Sequence, residues 1–161
     1  MMIGEKTTKY RLPLGIVFLI IGATLYLLFR SRQHLGFMLL DTIGLGSLTD
    51  SLRSMVADVH PAEFIIFALP DGLWTISYIL IISHICRNQQ LSSRLIWASV
   101  IPALGIISEL LQAIGIVPGV FDFADLACYS LPLVVYIIYE LGSSQNQLSS
   151  SRPEINTSHC S

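Results

Sequence analysis

Glu109 and Gln112 lie inside an apolar run, Ile96 to Ile116, that is long enough to cross a bilayer, and Asp122 and Asp125 follow at its far end. A carboxylate at membrane depth is costly unless it is paired, protonated or facing a wet cavity, so these residues are the first candidates for chemistry. On a helix, Glu109 and Gln112 are three residues apart, Ser108 and Gln112 four, and Asp122 and Asp125 three, so each pair projects from one face. Asp71, with Trp74 and Tyr78 at i+3 and i+7, could bring a further carboxyl, aromatic walls and a hydroxyl to the same place. General acid and base work needs one carboxyl protonated beside one ionised, which a close group of acids can supply. The oxygens of Asp71, Asp122 and Asp125 would also suit a divalent cation such as Mg²⁺ or Ca²⁺. Neither Ser108 nor Tyr78 has a base identifiable in the sequence to make it a nucleophile.

Each residue also has a structural explanation. Asp122 can cap the helix that follows, with Asp125 favourably placed in its positive first turn. Glu109 can bind Gln112 or a backbone carbonyl as interhelical glue, and Trp74 and Tyr78 can simply pack or anchor.

The elements that must position these groups are transmembrane helices. Of 161 residues, 53% are hydrophobic and 12% charged, and the mean hydropathy of +0.67 excludes an ordinary soluble domain. Apolar runs at 12–29, 64–85, 95–116 and 123–141 each approach the roughly 20 residues a spanning helix needs. The expected fold is all-α, a polytopic four-helix transmembrane bundle over residues 1–142, with residues 143–161 as a disordered cytoplasmic tail. The first run resembles a signal peptide in its basic flank, but no small-residue cleavage site precedes Arg30, so it reads as a retained span. In the loop from Ser31 to Glu63, Leu48, Leu52, Met55, Val56 and Val59 recur at helical spacing and predict a short interfacial helix, either a cap on the bundle or a lid over a site.

Charge sets the orientation. Four spans with the amino terminus inside place Lys6, Lys9, Arg11, Arg87, Arg94 and Arg152 in the cytoplasm and only Arg30, Arg32 and Arg53 outside, as the positive-inside rule favours. Leu35 to Leu48 as a fifth span would reverse that balance, and it is short and contains Asp41. In the preferred topology Asp71 and Glu109 each lie about seven residues, or roughly 10 Å, below the outer ends of their helices. Asp122 and Asp125 enter from the same side, so four acids from three helices should converge on one outward-facing pocket.

Other function classes find no support. Cys86, Cys128 and Cys160 lack CxxC or Cys/His spacing, as do His34, His60 and His84, so no disulfide framework or zinc site is indicated. The net charge of -2 offers no field for nucleic acid, and no glycine-rich phosphate loop or nucleophile elbow is present. The sequon at Asn156 falls in the tail. A proton or ion pathway would need a relay through the inner half of the helices, where only Ser83 and His84 stand.

The stretch Ser108-Glu109-Leu110-Leu111-Gln112, followed by Val117-Pro118-Gly119-Val120-Phe121-Asp122-Phe123-Ala124-Asp125-Leu126, resembles the signature of VanZ-like membrane proteins. That signature has an E-L-x-Q element late in one helix, a short turn often bearing Arg, and an acidic D-x-x-D element opening the next. Asp71, within Leu69-Pro70-Asp71-Gly72-Leu73-Trp74, stands where the family carries an acid in the preceding helix. The turn Arg has no counterpart, since Gly119 or Val120 occupies that region, and Tyr129 and Pro132 replace a following Asn and Gly. Without that Arg the acids should be more negative and readier to hold a cation or to be protonated.

The resemblance implies a protein of the bacterial envelope, in a family named for low-level resistance to the glycopeptide antibiotic teicoplanin; with the charge count, the expectation is a multi-pass protein of the bacterial cytoplasmic membrane with both termini in the cytoplasm. Two functions are therefore expected as alternatives. One is processing or binding of a lipid head group or lipid-linked amphiphile, with Glu109, Asp122, Asp125 and Asp71 catalytic and Gln112, Trp74, Tyr78 and Ser108 binding substrate. The other is a non-catalytic binding or assembly component, with a membrane protein as partner, whose acids serve helix packing.

Overall fold

A computed structural model describes residues 3–30, 41–42, 44–59 and 61–150. The remaining loop residues, among them Arg32, His34 and His60, and the tail with its sequon and Cys160 lie outside the described residues. The protein is all-helical over the described part: α1 is Ile3–Phe29, α2 Gly46–Met55, α3 Glu63–Ile85, α4 Leu91–Ala113 and α5 Phe123–Ser150. Four of these contain stretches long and apolar enough to span a bilayer, Tyr10–Phe29, Phe64–Ile85, Leu91–Ala113 and Phe123–Gln145. This is a multi-pass membrane architecture.

Two boundaries differ from the expected ones. Helix α4 ends at Ala113 rather than running to Ile116, because Gly115 adopts φ +72°, with Gly115 N–H donating to the Gln112 carbonyl and Ile116 N–H to that of Leu111. Those two bonds form a Schellman stop, which a glycine in the left-handed region allows regardless of hydropathy. Helix α5 continues past Gly142 to Ser150, covering part of the expected tail. Once a helix is established, each added residue brings one more backbone bond without a new nucleation cost.

Helix α3 is central: it packs against α1, α4 and α5, and α4 also packs on α5. Glycines set the closest approaches. A Cβ added at Gly22 of α1 would lie 2.7 Å from Trp74 Cδ1, and one at Gly15 would lie 2.8 Å from Ile81 Cγ1. Gly15 and Gly22, seven residues apart, share the face that meets α3. Lipid tails are as apolar as the helices themselves, so close backbone approach rather than apolar burial must hold such an interface. The buried set fits that view, comprising Ala68, Ala98, Thr75, Ser77 and Ser83 with few large apolar side chains, while Leu14, Ile20, Ile96, Leu104, Leu131 and Val135 face outward.

Helix α2 packs on α1 rather than reaching across the bundle. Its Arg53 donates through Nη1 to the carbonyls of Leu27 and Arg30, at 2.9 and 2.8 Å. Carbonyls at a helix C-terminus lack intrahelical partners and carry negative partial charge, so a guanidinium suits them. This contact seats α2 against the end of α1.

The opposite end of the bundle is pinned by an ionic contact absent from the expectations. Glu140 of α5, 1% exposed, takes Arg11 of α1 and Arg94 of α4, each at 2.9 Å. The start of α1, the start of α4 and the end of α5 therefore lie on one side of the molecule.

Candidate functional site

The acids gather at the other side, where α3 begins, α4 ends and α5 begins. Asp122 immediately precedes α5, and its Oδ1 accepts the Ala124 N–H at 2.7 Å, the geometry of an N-cap. The Asp122 N–H in turn donates to Oε2 of Glu109 at 3.3 Å, so a side chain late in α4 holds the residue that starts α5. Glu109 is 6% exposed. It sits four residues, about 6 Å, from the end of α4, nearer that end than expected because of the glycine stop.

Gln112 supports the same turn. Its Nε2 donates to Ser108 Oγ at 3.5 Å, and a Cβ built on Gly119 would meet its Oε1 at 2.6 Å. Gly119 has φ +150°, so the turn passes over Gln112 only because that position carries no side chain. The two polar residues of the E-L-x-Q element thus organise the connection that delivers Asp122 and Asp125.

Asp125 and Asp71 complete the group. Asp125 feels the charges of Asp71, Asp122 and Glu109, which places the other three carboxyls within electrostatic reach of it. Asp71 is hydrogen-bonded to the Tyr129 side chain, whose ring lies against Gly105, where an added Cβ would be 2.6 Å from Cδ1. Tyr129 therefore bridges α4 and α3 from one turn below Asp125. Thr75 donates its hydroxyl to the Asp71 carbonyl at 2.8 Å, the i to i−4 back-bond of a helical threonine. Of the Asp125 carboxylate, Oδ1 is buried without a hydrogen-bond partner.

Arg30, just past α1, supplies the positive charge that the α4–α5 turn lacks. Its guanidinium carbon lies 5.1 Å over the Phe67 ring, and its charge acts on both Asp71 and Asp125. The α4–α5 turn carries no Arg, and the positive charge that acts on Asp71 and Asp125 comes from the far end of the first helix. Among the described residues, no group of three or more His, Cys, Asp or Glu side chains is arranged to hold a metal ion.

Comparison with protein-family models, curated proteins and solved structures finds no match to this chain. The site is accordingly defined by its own geometry.

Two expected members of the site stand elsewhere. Trp74 turns toward α1, with its ring 5.2 Å from Tyr26 and its edge against Gly22. Tyr78 faces α4 at Trp97, donating its hydroxyl to the Trp97 carbonyl and hydrogen-bonding the Ile101 backbone. That hydroxyl serves the stretch just before Pro102, where a proline inside the helix removes a donor and disturbs the ladder. Trp97 lies twelve residues, about 18 Å along α4, from Glu109. The i, i+3, i+7 spacing of Asp71, Trp74 and Tyr78 spreads over neighbours on different sides of α3, because the central helix is surrounded.

Tyr129 and Arg30 were not anticipated as site residues. Tyr129 had a legible signal, four residues after Asp125 on the same helix face. Arg30 had none in local spacing, since its proximity depends on how α1 packs against α3.

Proposed function

We propose that the chain is a VanZ-like integral protein of the bacterial cell envelope, seated in the cytoplasmic membrane with both termini in the cytoplasm. Its acidic end then faces outward and takes the head group of a lipid or lipid-linked precursor. Asp125 carries this reading, because a buried carboxylate oxygen without a partner is costly in the protein alone and suits a ligand that donates to it. An ammonium or hydroxyl of the head group would meet Asp125 Oδ1, Asp71 with Tyr129 would fix its orientation, and Arg30 would meet the phosphate. Acid and base work on the bound group would fall to Asp125 and Asp71.

A second reading, a non-catalytic assembly protein, draws on Asp122 and Glu109. One caps α5 and the other accepts the N–H of that cap, so both have packing roles.

The two readings separate on variants of the full-length protein. Asp125→Asn should leave the protein folded, lose the lipid that co-purifies with it by mass spectrometry, and abolish any glycopeptide-susceptibility phenotype. Asp122→Ala should lower stability by about 1 kcal/mol and keep the lipid. Retention of lipid and phenotype in a folded Asp125→Asn protein would leave the assembly reading standing.

A further inference from the structure

A groove of about 560 Å³ opens on the opposite side of the molecule, walled by Leu14 of α1 and Val135 and Tyr139 of α5 and floored by Leu80 of α3. It lies where α1 and α5 both pack on α3, with Arg11 and Glu140 joining the two outer helices at one end. Along α5 it runs from Leu131 to Tyr139, eight residues or about 12 Å, close to the roughly 15 Å of hydrocarbon in one leaflet.

The polar groups of this groove are concentrated toward one end. Arg11 lies there, 5.4 Å over the Tyr139 ring and bonded to Glu140. The neighbouring ionic trio sets two arginines against one glutamate, which leaves an excess of one positive charge, and Lys6 and Lys9 precede Arg11 in the sequence. Tyr136 also lines the groove; it is 8% exposed and its hydroxyl is buried with no hydrogen-bond partner. The space is thus apolar toward the bilayer centre, and at the interface it is cationic with a spare donor. That polarity matches an amphiphile with one anionic end.

We propose that the groove holds an acyl chain of an anionic phospholipid from the leaflet on the side where α1 begins, with the phosphate on Arg11 and an ester carbonyl on the Tyr136 hydroxyl. This site is separate from the acidic end and does not rest on the function proposed for it. Each juxtamembrane basic residue strengthens the hold on anionic lipid about fivefold, and a buried hydroxyl that gains an acceptor adds a similar factor.

The test uses delipidated full-length protein in detergent, titrated with phosphatidylglycerol or phosphatidylcholine and read by native mass spectrometry. One phosphatidylglycerol should be retained at least about tenfold more tightly than phosphatidylcholine. Val135→Trp fills the groove from a side chain that is 65% exposed and should abolish retention with an unchanged melting temperature. Tyr136→Phe should weaken retention about tenfold. Equal retention of the two lipids, or full retention by a folded Val135→Trp protein, would overturn the proposal. So would a wild-type dimer that Val135→Trp converts to monomer without changing bound lipid, because a second copy would then occupy the groove.

Discussion

Replacing Glu140 by Gln tests the buried ionic contact that joins three helices at one end of the bundle. The carboxylate is 1% exposed and takes Arg11 Nη1 on one oxygen and Arg94 Nη2 on the other, both at 2.9 Å. At such separations and an effective dielectric near 20, each attraction is worth about 6 kcal/mol before desolvation is counted. Desolvation offsets much of that, so the intact trio contributes little net stability relative to a well-packed apolar substitute. Breaking it is different: an amide leaves two half-buried guanidiniums without the anion they share. The expected cost is about 3–5 kcal/mol, roughly two to three and a half powers of ten in the folded ratio. Reversible unfolding of the detergent-solubilised protein by a denaturing surfactant measures it, with Arg11→Gln, Arg94→Gln and the double variants completing the cycle. Arg11→Gln in the Glu140→Gln background should recover part of the loss, because it removes one of the stranded charges. A Glu140→Gln protein within 1 kcal/mol of the parent would refute the reasoning, since it would mean that water or lipid phosphate already satisfies the arginines.

Gly22→Val should destabilise the α1–α3 contact by about 1–3 kcal/mol, because any Cβ there meets Trp74 at 2.7 Å; in the Trp74→Leu background the same change should cost measurably less on thermal unfolding. Tyr78→Phe should cost about 1 kcal/mol through the carbonyl of Trp97 while leaving retention of the lipid proposed for the acidic end unchanged by mass spectrometry, as the two places lie on different parts of the bundle.

The acids were legible because period and depth are local quantities. Glu109, Asp122 and Asp125 are separated by one turn, and that turn dictates that they meet. Asp71 joined them once the helices were taken to alternate in direction. Trp74 and Tyr78 were misplaced for the converse reason: spacing identifies which residues share a face of α3, and α3 has a neighbour on nearly every face. The end of α4 was missed because hydropathy continues through Ile114 and Ile116, whereas Gly115 stops the helix by its backbone conformation.

By itself the chain determined that lipid is the solvent of its long helices, how many such helices there are, and that carboxyls cluster near the ends of two of them. Those properties follow from transfer free energy and helical rise, which act residue by residue. Only the packed structure decided that Arg30 answers the acids, that Tyr129 holds Asp71, and that Glu140 unites Arg11 and Arg94. Each of those pairings joins residues far apart in sequence. They depend on which helix faces lie together, and glycines at Gly15, Gly22 and Gly105 set that by how closely they let neighbouring side chains and backbones approach.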